Sequence, residues 1–298
     1  MEWKGIRGTV LRNVSMKRYT SMRVGGPVGY LIYPADEEDL VRVLKIAGEA
    51  GMKYRFVGNG TNIIVHDEGL NEAVIRTTKM QRLKVRRIEG GALAEVSGGA
   101  SLKGFIADNA RHGFSGLEKL FWIPGTIGGG IKMNAGSFGS WISDTLEGVR
   151  ILDEYGNVVF YSRKEMGFAY RTSRIRRLEC VLTASFRLRN RDEHAIRKDM
   201  DYVYGERKKR HPMEYASAGS VFKKADGEPA WKFIEQAGLR GLAIGGAMVS
   251  DKHANFIINR GGATARDVRM LVDKIKTEVF EKKGVKLEEE VEFWGFDG

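Results

Sequence analysis

The chain has 298 residues, 42% of them hydrophobic and 29% charged, and this composition excludes a disordered or fibrous protein. No stretch approaches the ~18 consecutive apolar residues of a membrane span, and residues 1–10 lack the apolar segment of a signal peptide, so we expect a cytoplasmic protein with no membrane partner. The formal net charge of +11 favours anionic partners, which include nucleic acids, membrane surfaces and small ligands dense in phosphate and carboxylate.

Cysteine and histidine usage argues against a metal enzyme. The single cysteine, Cys180, excludes intramolecular disulfides and multi-cysteine metal sites. It lies in the apolar run 180–184, which favours a buried structural thiol over a nucleophile. The five histidines have no metal-binding spacing, so no metal site is predicted.

The first half of the chain alternates strand and helix patterns. Residues 36–50 predict a helix with Asp36 as N-cap, because apolar residues recur there at helical spacing. Three short strands are predicted to follow, at 54–57, 62–65 and 73–77. A second cycle predicts a strand at 94–97, a turn at Gly98-Gly99 and a helix over 101–111.

The second half begins with a predicted hairpin over 148–161 and a strand over 180–189. Residues 187–211 are rich in charge and almost free of aliphatic periodicity, so we place a domain boundary near 190–210. A strong helix is predicted from the Thr264 cap to Gly284, and residues 288–295 read as a strand.

Two glycine-rich loops carry the functional signal in a chain with 38 glycines. The first, residues 58–62, lies between predicted strands; it is neither a Walker loop nor a Rossmann fingerprint, and alone it favours a simple turn. The second spans residues 116–139, where repeated small residues admit either another backbone or a ligand. Together the two loops suggest a long pyrophosphate cofactor lying across both.

In these loops and in further motifs, the chain resembles the UDP-N-acetylenolpyruvoylglucosamine reductase (MurB) family over almost its whole length. The motifs occur in family order: GNGTN at 58–62, IPGTIGG at 123–129, MNAG at 133–136, YRxS at 170–173, SAGSVFK at 217–223, AGLRG at 237–241, KHANFI at 252–257 and LEEEV at 287–291. The chain departs from the family pattern at Trp122, where many members have glycine, and at Lys224-Ala225.

The resemblance implies an α+β protein with an FAD-binding fold of the vanillyl-alcohol-oxidase type, made of two α+β subdomains, plus a C-terminal α+β substrate domain. The implied domains are 1–78, 79–195 and 196–298. The short spacing around SAGSVFK is similar to the second type of the family. The implied enzyme is a monomer. Its noncovalent FAD is reduced by NADPH and then reduces the enolpyruvyl group of UDP-N-acetylglucosamine enolpyruvate.

The same resemblance implies three catalytic residues. Ser220 would give a proton to the α-carbon of the substrate. Without the surrounding motif, Ser217 and Ser220 would be interpreted as residues that cap a turn through side-chain to backbone hydrogen bonds. Arg171 would bind the substrate carboxylate, and the alternative is a solvated basic segment. Glu290 would assist charge stabilisation or proton relay, with Glu288 as its competitor because alternate residues of a strand share a face.

Binding residues also follow from the matched motifs. The implied cofactor-binding residues are Gly58, Asn59, Gly60, Thr61, Asn62, Pro124, Gly125, Thr126, Gly128, Gly129, Asn134, Ala135 and Gly136. The implied substrate-binding residues are Tyr170, Lys223, Lys224, His253 and Asn255. The basic run 207–210 is either a diphosphate-attracting cluster or a solvated face, and the basic residues of 76–87 are expected at the surface.

Two other functions stay open. Another FAD oxidoreductase of the same fold would act on an alcohol or hydroxy acid, but it would lack the SAGSVFK and LEEEV motifs. A nucleic-acid-binding protein is suggested only by the charge of +11, with no recognised nucleic-acid motif beside it, so we expect no specific nucleic-acid partner.

Overall fold

The structure, a computed structural model, describes residues 2–296. Within this range it contains six α-helices: α1 (Glu37–Glu49), α2 (Leu102–Arg111), α3 (Ile127–Lys132), α4 (Glu193–Arg210), α5 (Ala230–Gln236) and α6 (Ala265–Lys283). Asp36, Ser101 and Thr264 cap α1, α2 and α6, each accepting a hydrogen bond from a backbone N–H of the first turn. Local polar residues therefore fix where these helices begin. None of the helices in this range is both long enough and apolar enough to cross a membrane.

The described residues also form eighteen strands, many of them short. In chain order they are β1 (Thr9–Ser15), β2 (Pro27–Tyr33), β3 (Tyr54–Val57), β4 (Ile63–Val65), β5 (Leu70–Arg76), β6 (Leu83–Ile88), β7 (Gly91–Ser97), β8 (Phe114–Ser115), β9 (Gly136–Ser137), β10 (Ser140–Trp141), β11 (Leu146–Leu152), β12 (Val158–Ser162), β13 (Cys180–Asn190), β14 (Ala216–Ser220), β15 (Ala243–Ile244), β16 (Ala247–Val249), β17 (Phe256–Asn259) and β18 (Glu292–Trp294).

Contacts divide the described chain into two compact units. The first unit comprises residues 2–12, 29–59 and 72–206, and the second comprises 13–28, 60–71 and 207–296. The change of unit after residue 206 falls inside the predicted 190–210 interval. Residues 13–28 and 60–71 also belong to the second unit, which the sequence did not indicate. The division into domains 1–78, 79–195 and 196–298 stays a prediction.

The first unit is built on two sheets. Strand order β1-β2-β5-β3 forms the smaller sheet, and order β12-β11-β13-β7-β6 forms the larger one, with β8 paired to β13. Helix α1 buries Leu40 and Val43 in a core that also contains Cys180. A second core lies under β13, α2 and α3 and is centred on Phe186 and Leu120. The two sheets thereby provide a rigid support for the glycine-rich loops.

The second unit packs α5 and α6 on the sheet of order β14-β17-β16-β15. Helix α6 buries Val268, Leu271, Val272, Ile275 and Val279, the apolar stripe visible in the sequence. Strand β18 pairs in parallel with β4, which brings the C-terminal segment to residues 63–65. This unit carries β14, the strand that ends at Ser220.

Most predicted elements are confirmed, one predicted strand is shorter than expected, and one helix was not predicted. The helix at 36–50, the helix at 101–111, the hairpin at 148–161 and the C-terminal helix are present. The charge-rich region contains the 18-residue helix α4, which was not predicted. The predicted strand 288–295 is reduced to Glu292–Trp294, because residues 288–291 leave strand geometry and meet Val221 and Lys223 through backbone hydrogen bonds. The expected structural role of Cys180 is supported, since its thiol is buried and burial raises its pKa to about 12.

Asp39 gives the first unit a measurable acid sensitivity. Burial alone would raise its pKa, but hydrogen bonds from the backbone N–H groups of Ala35, Arg7 and Gly8 outweigh burial and hold the pKa below its usual value. Asp39→Asn should lower the free energy of unfolding by about 2–3 kcal/mol at pH 7. The asparagine NH₂ group would replace a carboxylate oxygen and face backbone N–H donors that it cannot accept from. The stabilisation exists above the unfolded-state pKa and disappears as pH falls through the lower folded-state pKa.

Urea unfolding of Asp39→Asn and wild type at pH 7 and at successively lower pH values measures this effect. The matched control is Asp201→Asn, which changes an exposed aspartate on α4. The two proteins should converge in stability at low pH. A deficit of Asp39→Asn that stays constant down to pH 2 would contradict the assignment.

Candidate active site

The two glycine-rich loops meet inside the first unit. A Cβ atom on Gly58 would lie 2.4 Å from Thr126 Oγ1, so residue 58 must be glycine for the loops to approach this closely. The N–H of Gly128 donates to the carbonyl of Gly98 at 2.7 Å, and the N–H of Ile127 donates to that of Ala100. The two loops are thus in direct contact at residues 58 and 126, a contact that the sequence did not predict.

The surface left by these loops suits a pyrophosphate-bearing cofactor such as FAD. Asn59, Pro124 and Gly129 are exposed, while the neighbouring Thr126 is buried. Because glycines leave the backbone bare at this edge, a phosphate can approach main-chain N–H groups that side chains would otherwise cover. The N–H groups of residues 127–129 donate within the chain, so Gly58, Asn59 and residues 124–126 are the part of this edge that fits the group predicted from the sequence.

The remaining part of the first loop belongs to the second unit. Gly60 has a φ of +63° and lies directly against the carbonyl oxygen of Tyr19, where a Cβ would be only 2.1 Å away. Asn62 donates from Nδ2 to the carbonyl oxygen of Glu290 at 2.9 Å. The amide of Asn62 is therefore used in holding the C-terminal segment that bears the predicted catalytic glutamate.

Tyr170 and Arg171 lie in the first unit, on a loop that is hydrogen-bonded to residues 132–136. Asn134 Nδ2 donates to the carbonyl of Ala169 at 3.1 Å, and Ser173 Oγ donates to the carbonyl of Lys132 at 2.9 Å. Arg171 has a φ of +55°, an uncommon conformation for an arginine, and donates weakly from Nη1 to the carbonyl of Gly136 at 3.4 Å. The MNAG segment therefore fixes the loop that presents Arg171.

In the second unit, Ser220 and Glu290 are brought to the same place. Ser220 ends β14 and is aligned with Phe256 of β17. The N–H of Glu290 donates to the carbonyl of Val221, the residue after Ser220, at 2.7 Å. Glu290 and the residue after Ser220, 69 positions apart in the sequence, are thus joined by backbone hydrogen bonding.

Asn255 is a buried residue that holds the backbone of Phe222 through two hydrogen bonds, an arrangement called the Asn255 clamp below. Its Oδ1 accepts from the N–H of Phe222 at 2.9 Å, and its Nδ2 donates to the carbonyl of Phe222 at 2.8 Å. Only 6% of Asn255 is exposed, and both polar atoms of its amide are engaged by the chain itself. The geometry makes Asn255 a positioning residue for the segment after Ser220.

Asn255→Ala should lower the free energy of unfolding by about 2–4 kcal/mol, because it removes two hydrogen bonds and leaves the buried N–H and C=O of Phe222 unsatisfied. Urea unfolding followed by circular dichroism measures the change. Asn190→Ala, at an exposed asparagine ending β13, serves as the matched control and should stay within about 0.5 kcal/mol of wild type. Equal stability of the two variants would contradict the clamp.

The three successive glutamates near the C-terminus have different partners. Glu288 is largely exposed and pairs with Lys223 at 2.5 Å. Glu289 pairs with Lys276 at 2.8 Å; burial alone would raise its pKa, but the lysine and Arg269 hold the pKa below its usual value. Residues 288–290 do not form a regular strand, so the expected shared face of Glu288 and Glu290 does not follow from strand alternation here. The N–H of Glu290 donates to the carbonyl of Val221, and the carbonyl of Glu288 accepts from the N–H of Lys223.

His253 lies in an aromatic cluster of the second unit. Its ring meets those of Phe256 and His211 at centroid distances of 4.8 and 5.5 Å. Burial first, and then nearby cations, lowers the pKa of each of the two histidines to about 4. His253 is therefore a neutral imidazole at pH 7. The part of the chain between residues 2 and 296 shows no group of three or more His, Cys, Asp or Glu side chains arranged to hold a metal.

Trp122, one of the two departures from the family pattern, makes specific contacts in the structure. Its φ of +66° is one that glycine adopts without strain, and its ring stacks on Tyr204 of α4 at 4.7 Å. Lys103 of α2 lies over the same ring, 3.0 Å from its centroid. The substitution therefore joins the second glycine-rich loop to two helices, which the sequence alone did not indicate.

Comparisons with known proteins agree with this geometry. Residues 28–162 match the family described as FAD binding domain, and residues 211–294 match the family described as UDP-N-acetylenolpyruvoylglucosamine reductase, C-terminal domain. These matches confirm the predicted FAD-binding fold and the predicted C-terminal domain of the reductase family.

Full-length relatives extend the match to the whole chain. The UDP-N-acetylenolpyruvoylglucosamine reductase of Carboxydothermus hydrogenoformans is 41% identical over 293 residues, covering 98% of this chain and 96% of that protein. Reductase 2 of Symbiobacterium thermophilum is 39% identical, covering 97% and 93%. The crystal structure of the Thermus caldophilus reductase superposes with a TM-score of 0.80 at 35% identity, over 97% of this chain and 99% of that one. The chain belongs to the UDP-N-acetylenolpyruvoylglucosamine reductase family.

Proposed function

We propose that this protein is an NADPH-dependent UDP-N-acetylmuramate dehydrogenase, which reduces the enolpyruvyl group of UDP-N-acetylglucosamine enolpyruvate during peptidoglycan precursor synthesis. The observation that carries the proposal is the backbone pairing of Glu290 with Val221, which holds the motif glutamate beside the motif serine. We further propose that the enzyme works in the cytoplasm as a monomer, with domains 1–78, 79–195 and 196–298.

Noncovalently bound FAD would supply hydride transfer, taking a hydride from NADPH and giving one to the β-carbon of the enolpyruvyl group. Gly58, Asn59 and residues 124–126 would hold its pyrophosphate, and Gly128 and Gly129 would border it as residues without side chains. Asn134, Ala135 and Gly136 would border the cofactor on the loop that also fixes Arg171. Gly60, Thr61 and Asn62 continue the same motif.

Ser220 would donate the proton to the α-carbon. A serine hydroxyl is a weak acid, so it needs a charged neighbour or a proton relay to donate at neutral pH. The Glu290 segment, bonded to Val221, is the nearest candidate for that relay. Asn255 would act on this step through the position of Phe222 rather than by touching substrate.

Arg171 would bind the substrate carboxylate and spread the negative charge that develops as hydride arrives. A planar guanidinium matches a carboxylate with two parallel hydrogen bonds, which a lysine ammonium does not provide. The hydrogen bonds of Ala169 with Asn134 and of Ser173 with Lys132 hold the loop in which Arg171 has its left-handed backbone. Tyr170, Lys223, Lys224 and neutral His253 would make the remaining substrate contacts.

The visible spectrum of the purified protein tests the proposal. Anaerobic NADPH should bleach the yellow flavin bands, and the enolpyruvyl UDP-sugar should then restore them. Bleaching without recovery would leave a flavoprotein of this fold with a different acceptor. A colourless protein that FAD cannot reconstitute would contradict the proposed function.

A further inference from the structure

The larger sheet of the first unit ends in an open edge at β6, called the β6 edge below (Leu83–Ile88). Among residues 2–296, β6 pairs only with β7, to which a turn at residues 89–90 joins it as a hairpin. The first five residues of β6 are all exposed, so the described chain does not shield this edge. An open strand edge is a template on which another extended chain can pair.

The backbone groups on the open side of the β6 edge belong to Leu83, Val85 and Arg87. In an antiparallel hairpin, directly opposed residues alternate between pairs that exchange hydrogen bonds and pairs that do not. The N–H of Ser97 donates to the carbonyl of Arg82 at 3.0 Å, which places residue 82 in the bonded set and residue 83 in the other set. The N–H and C=O groups of residues 83, 85 and 87 therefore point away from β7, where an added strand can bond to them.

The side chains of the β6 edge give its two faces different chemistry. Leu83 and Val85 lie on one face, opposite buried core residues of β7, while Lys84 and Arg86 lie on the other face. Leu83 is 40% exposed and Val85 is 43% exposed, so the core face of the sheet continues into apolar surface that water contacts. A strand added here would meet apolar side chains on one face and cations on the other.

The charge of the β6 edge is positive. Residues 82–88 contain four basic and no acidic side chains. No carboxylate among residues 2–296 lies within 4.0 Å of Lys84 or Arg86. The acids of the hairpin are Glu95, opposite Lys84 on β7, and Glu89 in the turn. Cations thus remain in excess, and the partner that complements them carries carboxylates.

We propose that the β6 edge binds an acidic, extended segment of another protein, which adds to the larger sheet as a further strand. Its carboxylates at alternate positions would lie beside Lys84 and Arg86, and its apolar side chains would cover Leu83 and Val85. In such complexes main-chain hydrogen bonds provide affinity and alternate side chains provide specificity.

Two other partners complement the β6 edge less well. A second copy of this chain would bring like charges together, because its own β6 edge is basic. A single-stranded nucleic acid binds through aromatic side chains that stack on its bases, and β6 has no aromatic residue. The free backbone groups of residues 83, 85 and 87 match another polypeptide instead.

Fluorescence anisotropy of a rhodamine-labelled peptide of alternating glutamate and valine, titrated with the holoenzyme, tests the proposal. Wild type should bind this probe saturably, and Lys84→Glu combined with Arg86→Glu should weaken binding by more than about tenfold, since attraction becomes repulsion. The matched control, Arg163→Glu with Lys164→Glu, makes the same charge change just after β12, the opposite edge strand of the sheet. Absence of binding by wild type, or equal losses in the two variants, would overturn the proposal.

Val85→Pro tests the backbone contribution separately from charge. Because the N–H of Val85 points away from β7, proline removes a donor that the added strand needs and leaves the hydrogen bonds to β7 in place. Affinity for the probe should fall by more than about tenfold, whereas Val85→Thr, which keeps the N–H, should stay within about threefold of wild type. Circular dichroism checks that both variants are folded. Wild-type affinity in folded Val85→Pro would contradict strand addition.

Two further probes complete the test on the wild-type protein. The same peptide with alternate backbone nitrogens methylated cannot form the ladder, so it should bind at least about tenfold more weakly. Equal binding of the methylated and unmethylated peptides would leave only charge attraction and overturn the proposal. A single-stranded RNA oligonucleotide that bound at the β6 edge in place of the peptide would also overturn it. None of these readouts involves turnover, so they are independent of the proposed function.

Discussion

Ser220→Ala is expected to leave bleaching of the bound flavin by NADPH within about twofold of wild type and to slow its reoxidation by the enolpyruvyl UDP-sugar by about 10²–10⁴-fold. A positioned general acid contributes rate enhancement of this order. The two half-reactions separate because only the second one requires a proton at the α-carbon of the substrate. Anaerobic stopped-flow absorbance measures each half-reaction in turn.

Ser217→Ala is the matched control for this variant. Ser217 lies on the same strand, three residues before Ser220, and is partly buried like it, but it is aligned with Ile258 rather than Phe256. Its loss should leave both half-reactions within about threefold of wild type. If Ser220→Ala reoxidised at the wild-type rate, Ser220 would not be the proton donor. If Ser217→Ala slowed reoxidation instead, the donor would lie at the other serine of the motif.

Sequence patterns predicted the elements whose signals are local. Helices α1 and α6 each begin at a capping side chain and carry an apolar stripe, so both the start and the buried face were readable. Helix α4 was missed because only Ile196, Met200 and Val203 are buried among many charged residues. Three buried positions in 18 residues form too weak an apolar stripe to distinguish a helix from a solvated linker.

The candidate site was predictable as a set of motifs and not as a set of contacts. The sequence indicated that a pyrophosphate cofactor would lie across both glycine-rich loops, because their small residues leave room for a ligand. It did not indicate that Asn62 would bind the Glu290 carbonyl, since 228 positions separate the two residues. It also did not indicate that Asn255 would use its whole amide on Phe222. Such pairings depend on tertiary packing, for which a single sequence carries no periodic signal.

Arg171→Ala is expected to lower kcat of the substrate half-reaction by about 10²–10³-fold and also to raise the KM for the enolpyruvyl UDP-sugar. The kcat loss corresponds to removing a preorganised donor from a developing oxyanion, and the KM change reflects lost binding of the ground-state carboxylate. Flavin bleaching by NADPH should be nearly unaffected if the two half-reactions use different anionic groups. Steady-state kinetics at several substrate concentrations separates the two parameters.

Arg171→Lys separates charge from geometry at this position. It keeps the positive charge but loses the bidentate fork, so kcat should recover only part of the alanine loss. The left-handed φ of +55° strains arginine and lysine alike, so backbone strain does not distinguish the two proteins. Arg177→Lys, on an exposed arginine of the same basic segment, is the matched control and should behave as wild type. Full recovery in Arg171→Lys would show that only charge is needed, and unchanged kcat and KM in Arg171→Ala would remove Arg171 from the site.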